Sequence, residues 1–245
     1  MMMKFLILLP LFLAPFAFAE DTDGFVTDLN FGLNLTRGNS QTMILTSGAQ
    51  TRRVRGPHEF TAEVDYKYGR STTRPDEGAK QTNTTQDVLE GETQYNHLFS
   101  ERAYALFALS GLKDEIAAID YRLIAGPGIG YYFVRNETWR LSVEVGVSYL
   151  AEDVQGTKDD YFTGRIVQRY ERDLSETAAV WQSLEYLPEL ADPENYLLNA
   201  EIGARARLNG NLSLRVVAQN RYDNTPGENK KHNDLSVVAG IAYRL

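Results

Sequence analysis

Near the C-terminus of this chain, His232, Asp234 and Ser236 bring together a base, an acid and a hydroxyl, the residue types of a serine hydrolase. Their spacing argues against that chemistry. Leu235, Val237, Ala239, Ile241 and Tyr243 alternate with them and mark a strand. Residues two apart on one strand face lie about 7 Å apart, too far for a hydroxyl to reach its base. His58 sits at a tight turn and His97 near another, with no partner in view, and 3 His without Cys make no transition-metal set. Neither a catalytic residue, a metal nor a cofactor is expected. The Gly126, Pro127, Gly128, Gly130 cluster precedes no helix that could hold a phosphate, so it makes room within a sheet or lets a strand bend.

Ionic chemistry is more abundant. Arg140, Arg165, Arg169, Arg205, Arg215 and Arg221 fall on the polar parity of their alternating segments, and so do Glu59, Glu63, Asp65, Glu144 and Glu201. If that parity faces a barrel interior, the arginines suit a narrow pore for small anionic solutes. The interleaved acids equally suit a neutralising network that plugs the lumen. Both readings stay open. Loop acids such as Asp76, Glu77, Asp159 and Asp160 would bind a surface divalent cation or simply be solvated.

The elements that carry these charges are strands. Phe60, Ala62, Val64, Tyr66 and Tyr68 oppose Glu59, Thr61, Glu63, Asp65 and Lys67, and Trp139, Leu141, Val143, Val145, Val147 and Tyr149 oppose Arg140, Ser142, Glu144, Gly146 and Ser148. Similar alternation recurs along the chain and gives about twelve strands of about ten residues, the length of a tilted membrane-crossing strand. Tight turns, such as Arg55 to His58 and Asn209 to Asn211, alternate with longer polar stretches, such as Arg70 to Asp87, Lys113 to Asp120, Glu152 to Asp160 and Asp223 to Asn233. The short stretch from Arg37 is the exception. That asymmetry is typical of an antiparallel up-and-down transmembrane β-barrel.

Composition fixes which face points out. Charges in a dry core cost several kcal/mol each unless paired, whereas a hydrated lumen supplies water and partners. The apolar parity therefore meets lipid. Phe133 and Trp139 at one rim, with Tyr121 and Tyr149 at the other, are placed for aromatic girdles. A final strand ending at Leu245 would be protected by pairing with the first.

Residues 1–19, with Lys4, an apolar run and Ala17 and Ala19 around Phe18, read as a cleaved secretory signal peptide, leaving a single barrel domain over residues 20–245. Loss of Lys4 moves the formal net charge from −8 to −9, unfavourable for nucleic acid. With Cys 0, disulfides are excluded.

The segments "LTRGNSQT" from Leu35, "YNHLFSERAYALFALSGLKDE" from Tyr95, "RLIAGPGIGYYFV" from Arg122, "LSVEVGVSYLAED" from Leu141 and "RYDNTPGENKKHNDLSVVAGIAYRL" from Arg221 resemble the domain of unknown function 481 family (DUF481), the salt-induced outer-membrane proteins. The resemblance implies a Gram-negative outer-membrane barrel of unassigned biochemical role, with envelope maintenance under salt or osmotic stress as the role the family name suggests, and no catalytic residues. Gly240, Tyr243 and Leu245 resemble the C-terminal signal read by the barrel-assembly machinery, although such signals usually end in Phe. Outer-membrane lipid is the other expected partner; oligomeric state is not fixed by the sequence.

Overall fold

The computed structural model describes residues 24–36, 40–73 and 81–245. The expected signal peptide, the stretch from Arg37, and Asp76 and Glu77 lie outside or largely outside these residues. Twelve strands, β1 (Val26–Thr36), β2 (Ser40–Arg55), β3 (His58–Thr73), β4 (Gln81–Leu98), β5 (Ala103–Asp114), β6 (Ile119–Arg135), β7 (Trp139–Val154), β8 (Thr157–Asp173), β9 (Ala178–Pro188), β10 (Tyr196–Arg207), β11 (Leu212–Asp223) and β12 (Asn233–Arg244), form a closed barrel. Each pairs antiparallel with its chain neighbours, and β12 returns to β1. The fold is a transmembrane up-and-down barrel, as the alternation predicts.

Sidedness follows the charge argument. Val145 is 45% exposed and Ile202 61%, whereas Glu144 between the valines of β7 is 1% exposed. Aromatic residues ring the outer wall at both ends. Edge-to-face pairs Trp139–Tyr170 and Tyr131–Phe133 lie near the tight turns, and Tyr149–Phe162 and the Tyr186, Tyr196, Tyr222 series lie near the opposite rim. We call these the turn end and the loop end.

Expected loops are partly strand. The stretch Glu152 to Asp160 is a hairpin whose Gln155 and Gly156 both have positive φ (56° and 78°), a type I′ geometry that matches strand twist. Likewise β5 and β6 run to Asp114 and from Ile119, shortening the stretch Lys113 to Asp120. Polar composition marks these segments as water-exposed, and strands that rise beyond the bilayer are as polar as loops. Asp159 and Asp160 accordingly sit on β8, where Asp160 accepts a 2.6 Å hydrogen bond from Tyr149 Oη.

Candidate functional site

The lumen is crossed by side chains at successive depths. At the turn end, Glu59 on β3 accepts from Arg135 Nη2 (2.6 Å) and Tyr132 Oη (2.9 Å) on β6. Nearby, Arg140 donates to Glu171 (2.6 Å), and Arg244 binds both oxygens of Asp28 (2.9 and 3.0 Å) across the β1–β12 seam.

Deeper inside, Glu144 is the hub. Its Oε1 accepts from Gln94 Nε2 (2.8 Å) and Tyr104 Oη (3.0 Å), and its Oε2 from Arg165 Nη1 (3.0 Å). Arg165 also donates to Glu185 (2.9 Å), and Arg169 Nη2 reaches across to Glu92 on β4 (3.2 Å). Cationic and neutral donors thus surround this buried carboxyl group, the pairing that a buried acid requires.

A belt runs round the other side. Trp181 Nε1 (2.5 Å) and Gln219 Nε2 (2.7 Å) both donate to Glu201, and Lys67 donates to Gln219 and to Glu90 (2.6 Å). Arg221 closes the belt onto Glu90. Glu63 accepts from Gln50 (3.2 Å) and lies 3.6 Å from Arg215, whose guanidinium also lies over the Trp181 ring. At the loop end Arg122 joins Glu152 (2.5 Å) to Asp223 (2.8 Å) on the far wall.

The sequence-selected residues thus come together, with one qualification: Arg205 stands opposite Arg215 in the β10–β11 ladder, and no acid bonds it among the described residues. Asp65 faces inward beside Glu63 on β3. His232 does not join Asp234 and Ser236 in a triad; its Nδ1 lies 2.9 Å from the Asp223 carbonyl oxygen and its ring stacks on Tyr222. His58 and His97 prove to be cross-strand neighbours, with His58 Nδ1 2.6 Å from Tyr95 Oη.

Sequence reading missed the apolar part of the filling. Tyr104, Leu106, Ala108 and Tyr132 form one buried cluster, and Leu150, Leu187 and Leu197 another. Gly130 makes room for Tyr104, since a Cβ there would overlap the phenol ring. The signal was present as adjacent apolar pairs, Tyr131–Tyr132, Tyr149–Leu150 and Leu197–Leu198, which break strict alternation and force one member inward.

Above the filled level, a cavity of about 240 Å³ reaches from Glu63 and Glu201 to the β11–β12 loop at Lys230. Nine acids and five Arg or Lys line it, so its balance favours cations over anions. The loop spans its mouth: the Gln155 side chain donates to Glu228 O (2.9 Å) and accepts from Glu228 N (2.8 Å), and Lys230 Nζ donates to Ile116 O (2.7 Å).

A family described as "Protein of unknown function, DUF481" matches residues 29–245. Among solved structures, the NanC porin is similar at 7% identity, with 89% of this chain and 100% of that chain covered and a TM-score of 0.54. The translocator domain of the autotransporter NalP from Neisseria meningitidis aligns at 15% identity over 92% of this chain and 90% of that chain, with a TM-score of 0.48. No curated protein matches the sequence.

Proposed function

The chain belongs to the DUF481 family, and on that premise we propose that it is a structural barrel of the Gram-negative outer membrane whose lumen is closed by its own ion pairs, with a cation-favouring vestibule facing the cell surface. The observation that carries this reading is the cross-lumen bridging, above all Arg169 to Glu92 and Arg221 to Glu90, which join strands on opposite walls. An anion channel needs free arginines. Arg140, Arg165, Arg169, Arg215 and Arg221 are each spent on an acid.

On this reading residues 1–19 are removed on export, outer-membrane lipid surrounds the wall, and the protein is not an enzyme. Gly240, Tyr243 and Leu245 serve assembly, read by the barrel-assembly machinery. Tyr243 and Leu245 are exposed on the outer wall and Gly240 packs against the Phe31 carbonyl, which suits recognition followed by closure. The barrel contributes to envelope integrity under salt or osmotic load. Planar-bilayer recording tests it: the purified protein is expected to give no steady conductance, and reproducible single-channel steps would overturn it.

A further inference from the structure

The β1–β12 seam closes the barrel over only part of its height. Among the described residues its ladder has five pairs, from Asp28↔Arg244 to Gly32↔Gly240. Each of these strands makes eleven pairs with its other neighbour. Continued register would set Leu33 opposite Ala239 and Leu35 opposite Val237, but the ladder stops short of both. Leu33, Leu35, Leu235 and Val237 are exposed on the lipid-facing parity along these two edges. Their depth is set by Tyr222 of the loop-end girdle, which pairs with Asn233, so the following residues of β12 descend into the hydrocarbon band. Hydrocarbon alone does not tolerate an open sheet edge.

A second observation points inward from the same place. A cavity of about 50 Å³ sits where the ladder ends, lined by outward Phe31 and Ile241 and by lumenal Asp65, Lys67, Arg215 and Gln219. Gly48 and Gly240 line it and carry no side chain there; a Cβ would collide with Asp65 at Gly48 and with the Phe31 carbonyl at Gly240. Asp65 and Gln219 also line the large vestibule. The Lys67–Gln219 hydrogen bond passes behind β2, β1 and β12, and Gln219 lines both spaces.

We propose that the loop-end half of the β1–β12 seam is a lateral portal that admits the acyl chain of a membrane amphiphile between the outer leaflet and the lumen. Leucine and valine edges match the tail. The polar groups behind them, Asp65, Lys67 and Gln219, match a hydrogen-bonding head. A polypeptide strand added to the edges would use backbone bonds alone and leave the cavity behind the seam without a role.

With Trp 2 in the chain, Trp139→Phe leaves Trp181 as a lumenal reporter, and its ring lies 5.2 Å from the Arg215 guanidinium at the seam cavity. In vesicles of phosphatidylcholine brominated at mid-chain, Trp181 emission is expected to fall relative to unbrominated vesicles. The chain has no cysteine, so Leu35→Cys with Val237→Cys can be bridged selectively by a reducible bis-methanethiosulfonate. The bridge is expected to abolish the quenching, and reductant to restore it. The same bridge between Leu29→Cys and Tyr243→Cys, which already pair, is expected to leave quenching intact. Absent quenching, or quenching equal in open and bridged seams, overturns the portal. So does a spontaneous 35–237 disulfide as complete as the 29–243 one, or closure of the edges by a bound polypeptide. Heat-modifiable gel migration confirms that each variant is folded.

Discussion

The indole of Trp181 fills the space beside Gly203 on the neighbouring strand, where a Cβ would overlap the ring. From there Trp181 Nε1 donates to Glu201 and the ring face meets Arg215, so one glycine holds a lumenal aromatic at the junction of two charge networks. Gly203→Val is expected to push the indole toward water and destabilise the barrel by about 1–3 kcal/mol, the usual range for overpacking. Red-shifted tryptophan emission and a lower urea midpoint check it. Gly210→Ala is the control, since nothing surrounds a Cβ there and neither quantity should move.

Glu144 and Arg165 have side chains 1% and 6% exposed. Removing one partner leaves the other charge buried, which costs about 3–5 kcal/mol, whereas replacing both with apolar residues of similar volume is often neutral. Glu144→Ala is therefore expected to lower unfolding free energy in vesicles by that amount, and Glu144→Leu with Arg165→Met to recover most of it. Equal losses in the two variants would mean that the charge pair itself, rather than the stranded charge, carries the stability.

The signs around the vestibule predict what an opened lumen would conduct. Arg169→Ala with Arg221→Ala removes the links to Glu92 and Glu90 and leaves those carboxylates facing the cavity. Planar bilayers should then show steps that are selective for cations, as the acid-rich wall requires. Reversal potentials in a salt gradient check the sign, and anion selectivity would return weight to Arg205, a lumenal arginine that no acid bonds among the described residues.

Strand count, closure and sidedness were legible because each depends on period-2 alternation, which Val143, Glu144 and Val145 display locally. The inward arginines were legible for the same reason. Their partners were not. Arg221 meets Glu90 and Arg122 meets Asp223 across five steps of the sheet, and alternation says which face a residue takes but not which residue stands opposite across a lumen. The seam was the least legible feature. Leu33 and Val237 alternate as regularly as residues in the closed ladders, and only the register reveals that, among the described residues, the β1–β12 ladder does not reach them.

The hairpin tip at Gln155 carries a last consequence. Its amide brackets the backbone of Glu228 with a donor and an acceptor, so the β7–β8 tip and the β11–β12 loop are joined much as two strands are. Lys230 adds one bond to the Ile116 carbonyl. Each such bond contributes about 0.5–1.5 kcal/mol net, so losing both Gln155 bonds removes about 1–3 kcal/mol of local stability with little effect on the barrel below. Gln155→Ala is expected to speed tryptic cleavage after Lys230 and Lys231 several-fold in intact protein while the urea midpoint stays in place. Gln155→Asn, with an amide one methylene short of Glu228, should behave like the alanine variant. Cleavage unchanged in both would show that the loop is held over the vestibule by contacts other than this latch.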